Sequence, residues 1–328
     1  MNRKLNFLKA ISCFMVVMAH IRFPGLFGEI VWKAASYAIP VFLMISGYFS
    51  YGEKNDTIKR RLKHIAFIFL WAYASHFIFG VTKHLIKHDL LTWLAEEFTW
   101  KSPFDYLLWG HVSFADPLWY LIIMVEVYAF WYFVVRAGKE RFVLGLLPFL
   151  LVTYVGVAVF IETTDRPWYY CNLFFVRGLS FFLLAYFLRT EEAKKLLQWK
   201  RYQLILLTVL GFIILLTPTV FGLPIKFGDA GLIPCVLGLF ALALQKPEKG
   251  ICRPLEFIGD KLSLYIYVFH VIIGGNPILK ICNFLHVSVN EEIYAWLRPV
   301  LAVITTTIFS LVLYYAIEAL KKRKPLHA

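Results

Sequence analysis

The feature that most constrains this chain is a succession of apolar runs, each near the length of about 20 residues that crosses a bilayer. They fall at roughly 5–23, 34–51, 62–80, 117–135, 142–160, 169–188, 202–220, 229–245, 258–274 and 294–318. Lipid offers the backbone no hydrogen-bond partner, so runs of this length must satisfy their amides internally, as helices. The expected fold class is therefore all-α, a polytopic membrane protein of about ten transmembrane helices. Composition agrees, with 60% of residues hydrophobic against about 45–50% in soluble domains. The runs at 229–245 and 258–274 are short and carry Pro234, Gly274 and Gly275 at or near an end. Short or broken spans often border a site.

The net charge of +13 would suggest nucleic acid in a soluble chain. Here the basic residues lie between apolar runs, and the positive-inside rule explains them better. With the N-terminus inside, the cytoplasmic side collects Arg3, Lys4, Lys9, Lys54, the basic residues of 59–63, 136–141, 189–201 and 246–261, and Lys321, Lys322, Arg323 and Lys324. The outer side holds the sparser set Arg22, Lys33, Lys83, Lys87, Lys101, Arg166, Lys226, Lys280 and Arg298. Both termini are expected in the cytoplasm, with a single integral-membrane domain over 1–320 and a short basic tail at 321–328. No nucleic-acid partner is expected.

The five cysteines form no CxxC and cannot all pair internally, so they read as small packing residues rather than a disulfide framework or metal site. The basic start and apolar run at the N-terminus resemble a signal peptide. The run is long and others follow, so it is expected to stay as the first helix. The longest piece between runs, 81–116, contains LLTWLAEEFTW. It reads as an amphipathic surface helix whose aromatic residues anchor it at the interface, in preference to meeting a sugar or lipid.

Polar residues inside the apolar runs are the candidates for chemistry. The first run carries Lys9 and His20. At about 100° per residue their separation is about 20° beyond three full turns, so both leave the helix from one face, about 16 Å apart along its axis. Ionisable groups in a span are costly and usually face a cavity or partner. The plainer alternative is a Lys9 that reaches the headgroups and a His20 that bonds a neighbouring helix.

The second run, IPVFLMISGYFSYG, ends at KNDTIKRRLKH. Its Arg60, Arg61 and Lys63 suffice for topology control. They also suit a phosphate clamp, since guanidinium forks pair with phosphate oxygens two-pronged. Glu126 and Arg177 lie inside the fourth and sixth runs. They are expected to pair with each other, or Glu126 pairs with His20 and holds its tautomer. His270 in DKLSLYIYVFHVII lies at a depth like that of His20, so the two imidazoles either share a cavity or His270 simply packs. There is no HExxH, P-loop or GxSxG signature.

Taken in order, Lys9-x10-His20, IPVFLMISGYF (39–49), PLWYL (117–121), RGLSFFLLAYFL (177–188) and LSLYIYVFH (262–270) resemble the membrane-embedded acyltransferase family 3, many of whose members O-acylate surface polysaccharides. The ordered set covers almost the whole chain. One departure is Asn6-Phe7-Leu8-Lys9, where the family often has Asp-x-x-Arg. Lysine keeps the charge but loses the fork, and Asn6 offers it no acidic partner.

The resemblance implies ten helices in the bacterial cytoplasmic membrane, with no tightly bound cofactor. It implies an O-acyltransferase, most directly an O-acetyltransferase. Acyl-CoA from the cytoplasm is the co-substrate, and a hydroxyl of a surface polysaccharide or lipid-linked glycan is the acceptor. His20 is the implied catalytic residue, with Lys9 and the Arg60–Arg61 patch assisting the donor; the buried charges Glu126 and Arg177, read from the residues themselves, are the further catalytic candidates. Lys9, Arg60, Arg61, Lys63 and Tyr48 stand on the donor side. Trp119, Tyr120 and His270 line the acceptor side or pocket. Arg177, Tyr48 or Tyr120 is the candidate donor to the thioester oxyanion. The rival reading from another class is a polysaccharide or lipid-linked-sugar transporter, which broken spans and a buried Glu–Arg pair would also suit.

Overall fold

A computed structural model describes residues 2–164, 166–223, 227–274 and 290–323. Lys226, Gly275, Lys280, Cys282 and the tail from 324 lie outside the described residues. Among the described residues every regular element is a helix and none is a strand. In chain order these are α1 (Arg3–His20), α2 (Gly25–Ala34), α3 (Ala38–Ser50), α4 (Asn55–Ile86), α5 (Leu90–Glu97), α6 (Ser102–Trp109), α7 (Trp119–Arg136), α8 (Glu140–Gly145), α9 (Leu147–Thr164), α10 (Leu179–Phe187), α11 (Lys194–Leu197), α12 (Arg201–Val220), α13 (Leu232–Leu244), α14 (Arg253–Phe257), α15 (Ser263–Gly274) and α16 (Glu291–Arg323). Single turns of 3-10 or π-helix join several of them.

The protein is an all-α polytopic membrane protein. By length and composition, 7 helical stretches among the described residues can cross a bilayer, and Phe174–Phe187 and Gly228–Leu244 are shorter apolar helices. Every run expected as a span falls on a helix, but not always over its full length. The run from 169 opens as a 3-10 turn at Trp168–Asn172 and a π turn at Phe174–Gly178 before α10 begins. The run from 142 is split into α8 and α9, with Pro148 in the first turn of α9, where its missing N–H costs nothing.

The chain forms two compact units, one from 1–38 and 242–328 and the other from 39–241. In the first, α1 and α15 run parallel and α16 runs against them. Asn6 and Ala10 meet Gly259, Ile21 meets Gly274, and Thr306 and Ala302 meet Gly274 from the other helix. Phe309 packs on Phe269, and Tyr314 on Phe257. Gly259 is required here, because a Cβ would overlap the Asn6 carbonyl. Without a hydrophobic drive between helices in lipid, close backbone approach of this kind supplies the packing. The N-terminus is fixed by Arg3 Nε to Glu256 Oε2 at 2.6 Å and by Lys4 donating to the Gln245 carbonyl. Glu256 also accepts from the Ile251 amide at 2.7 Å.

In the second unit α3 lies on α10. Gly47 allows this, since a Cβ would strike the Phe182 carbonyl. Tyr51 meets Tyr186 one turn further along, with ring centroids 4.9 Å apart. The fully buried Trp131 of α7 sits between Phe182 at 5.2 Å and Tyr186 at 4.8 Å; each such edge contact contributes about 0.5–1.5 kcal/mol. Gly178 accommodates Ile123 and Val127 of α7. The stretch LLTWLAEE forms α5 as the sequence suggests. Its Trp93 is nevertheless buried and stacks on His84 at 4.8 Å, so it is a packing residue and not an interfacial anchor. Trp100 is 76% exposed.

Candidate active site

Within the first unit, Lys9, Ser12, Cys13, Val16 and His20 lie within about 60° of one line along α1. His20 closes the helix as its last residue and is exposed. Its ring meets that of His270, with centroids 4.9 Å apart and planes 56° apart. The pairing follows from the parallel alignment of α1 and α15, which the Gly259 and Gly274 contacts set in register. His270 is fully buried, and its Nδ1 lies 2.6 Å from the Tyr267 carbonyl oxygen. A carbonyl can only accept, so Nδ1 carries the proton and the lone pair of the neutral ring is at Nε2. Thr306 and Ser310, one turn apart on α16, are both buried in the same unit.

At the other end of the stripe, Lys9 is half-buried and feels the charge of Asp260. Asp260 lies in a π turn, Ile258–Leu262, and pairs with Lys261 at 2.9 Å. The acidic charge that Asn6 cannot offer thus comes from another helix, at longer range than an ion pair, since the Asp260 carboxylate is held by Lys261. Nothing in the spacing around Lys9 foretold it, although DKL at the head of the ninth run was visible as a charged break. Between the ends of the stripe, the Cys13 thiol donates to the Ser263 carbonyl at 3.3 Å.

The other sequence candidates lie in the second unit. The Arg177 guanidinium donates to Asn172 Oδ1 at 3.1 Å and lies over the rings of Trp119 at 5.4 Å and Tyr154 at 6.0 Å. Tyr154 in turn donates to the buried Asp229 at 3.4 Å. The expected Glu126–Arg177 pair does not form. The π turn that carries Arg177 aims it toward Tyr154 and Asn172, and no ion-pair partner of Glu126 occurs among the described residues. Glu126 and His20 belong to different units. Tyr154, Asn172 and Asp229 were missed in the sequence. Asp229 alone left a signal, as an acid at the head of a short run. Tyr120 packs on Phe42 at 6.0 Å and hydrogen-bonds Ser46.

On the donor side of the sequence reading, Arg61 donates to the Phe49 carbonyl at 2.6 Å, to Ser50 Oγ at 3.1 Å and to Glu53 Oε1 at 3.1 Å. Arg60 reaches Thr57 at 3.4 Å and, like Lys63, is exposed.

These features define a class: a multi-pass helical membrane protein whose first helix presents a cation and a histidine on one face, the histidine paired with a second. The sequence profile of the acyltransferase domain of acyltransferase family 3 matches residues 2–315, and the chain belongs to that family. It is a membrane acyltransferase. No curated protein and no solved structure matches it.

Proposed function

We propose that the protein transfers an acyl group, most directly acetyl, from acyl-CoA on the cytoplasmic side to a hydroxyl of a surface polysaccharide or its lipid-linked precursor, in the bacterial cytoplasmic membrane. The observation that carries this reading is the His20–His270 pair, placed at the end of a helix whose same face bears Lys9.

His20 acts as general base. It takes the proton of the acceptor hydroxyl as that oxygen attacks the thioester carbonyl. The tetrahedral adduct then expels the thiolate, which takes the proton back, leaving an ester and a free thiol. The imidazolium formed on the way stands at the C-terminal end of α1, where the helix dipole places roughly half a negative charge. His270, with its tautomer fixed through Nδ1, is a positioning residue for the His20 ring. Lys9, about 16 Å away along the helix, is too far to share the reacting carbonyl and assists elsewhere on an extended donor. Of the basic residues that follow α3, Arg60 and Lys63 are exposed and supply positive charge for donor phosphates, whereas Arg61 is held by Glu53.

The test is surface-glycan acylation in cells carrying His20→Ala at normal membrane levels. Loss of a catalytic base lowers the rate by about 10²–10⁴-fold. Acylation at the wild-type level would remove His20 from the mechanism.

A further inference from the structure

Where α3 ends, a second guanidinium stands beside the last turn. Gly47 lets α3 lie against α10 at Phe182, and Tyr51 then meets Tyr186. Three residues past Tyr186 the chain reaches Arg189. Its guanidinium lies 5.0 Å from the Tyr48 ring centroid and 5.7 Å from that of Tyr51, with Nη1 at 3.5 Å from the Tyr48 hydroxyl. Arg61 lies at the same turn, on the Phe49 carbonyl and Ser50.

The two arginines differ in one respect. Arg61 is a helix cap neutralised by Glu53 at 3.1 Å. Arg189 is exposed, holds no backbone carbonyl and has no carboxylate partner among the described residues. The nearby acids are engaged elsewhere: Glu191 with Lys194 at 2.6 Å, and Glu192 with Thr190 and the charge of Arg141. Its orientation is fixed by aromatic faces, which leave the charge unneutralised. A planar fork held this way keeps its donors for an anion, and phosphate oxygens match its geometry.

We propose that Arg189, oriented by Tyr48 and Tyr51, is a binding residue for an organic phosphate, namely the phosphoadenosine end of the acyl-CoA donor. This rests on the acyl-CoA reading above. The same chemistry could instead serve an anionic lipid headgroup, and the experiment separates the two.

Wild-type protein and Arg189→Ala, each in nanodiscs of phosphatidylcholine alone, are titrated with adenosine 3′,5′-bisphosphate. Acetyl-CoA KM and kcat are measured beside a truncated acetyl thioester that lacks the nucleotide. The expected result is affinity for the bisphosphate about tenfold weaker or worse. A matching rise in acetyl-CoA KM is expected, with a far smaller change for the truncated donor. Arg189→Lys, which keeps the charge and the fold but not the fork, should recover only part of the loss.

Unchanged bisphosphate affinity in Arg189→Ala overturns the proposal. So does a defect seen only in discs containing phosphatidylglycerol, which assigns the residue to lipid. If wild type consumes acetyl-CoA in a His20-dependent way while Arg189→Ala binds it normally, this inference alone fails. If wild type neither binds nor consumes acetyl-CoA, the donor reading fails and takes this one with it.

Discussion

His20 and Lys9 share one face of α1 but meet different electrostatic surroundings. His20 is exposed at the helix end beside His270, and Lys9 is half-buried near Asp260. His270 acts through His20, so His270→Phe should lower kcat by about tenfold or more while donor KM changes little. His270→Gln, which retains a donor for the Tyr267 carbonyl, should restore part of kcat; steady-state kinetics on the purified variants checks both. The charge of Asp260 reaches Lys9 without an ion pair between them, so the losses in kcat/KM from Lys9→Met and Asp260→Asn should not add. A double-mutant cycle should return a coupling in the range of about 0.5–3 kcal/mol expected of charged neighbours. Additive losses would show that the two do not act together. The Lys9–His20 spacing was legible in the sequence because helical geometry fixes it. The Lys9–Asp260 association was not, because it depends on how closely two helices approach across a long sequence separation. Glu126–Arg177 failed as a pairing for a related reason: charge in a span demands a partner, but periodicity does not say which, and Arg177 found amide and phenol groups.

At the scale of elements, the two π turns, Phe174–Gly178 and Ile258–Leu262, mark where apolar runs that read as continuous helices change phase. Such turns often lie at functional sites. Here one carries Arg177 and the other Asp260. Apolar composition hides them, since a single extra residue in a turn leaves hydropathy unchanged. The glycines that seat the helices are testable directly. Gly259→Ala would push a Cβ into the Asn6 carbonyl and force α1 away from the π turn, at a cost of about 1–3 kcal/mol. Gly156, midway along α9, has nothing within 4 Å of its would-be Cβ. Gly156→Ala should be neutral or raise stability by up to about 1 kcal/mol. Thermal unfolding of the two variants in the same detergent should separate them clearly. Equal melting temperatures would contradict the close packing of α1 on residue 259.

At the scale of the whole molecule, the helical membrane class was legible because bilayer thickness sets the length of each apolar run. The family was legible because its motifs recur in order along the chain, and the profile match over residues 2–315 bears that out. The division into two units was not legible. The first unit joins the N-terminal helices to the C-terminal ones, and no local pattern announces a contact between chain ends. That return of the C-terminal helices onto α1 is what brings His270 to His20. The most direct measurement is transfer of labelled acetyl from acetyl-CoA to a glycan acceptor by purified protein in liposomes, comparing wild type with His20→Ala. The account predicts donor-dependent ester formation by wild type and a fall of at least about a hundredfold in the variant. Equal transfer by both proteins, or none by wild type, would contradict it.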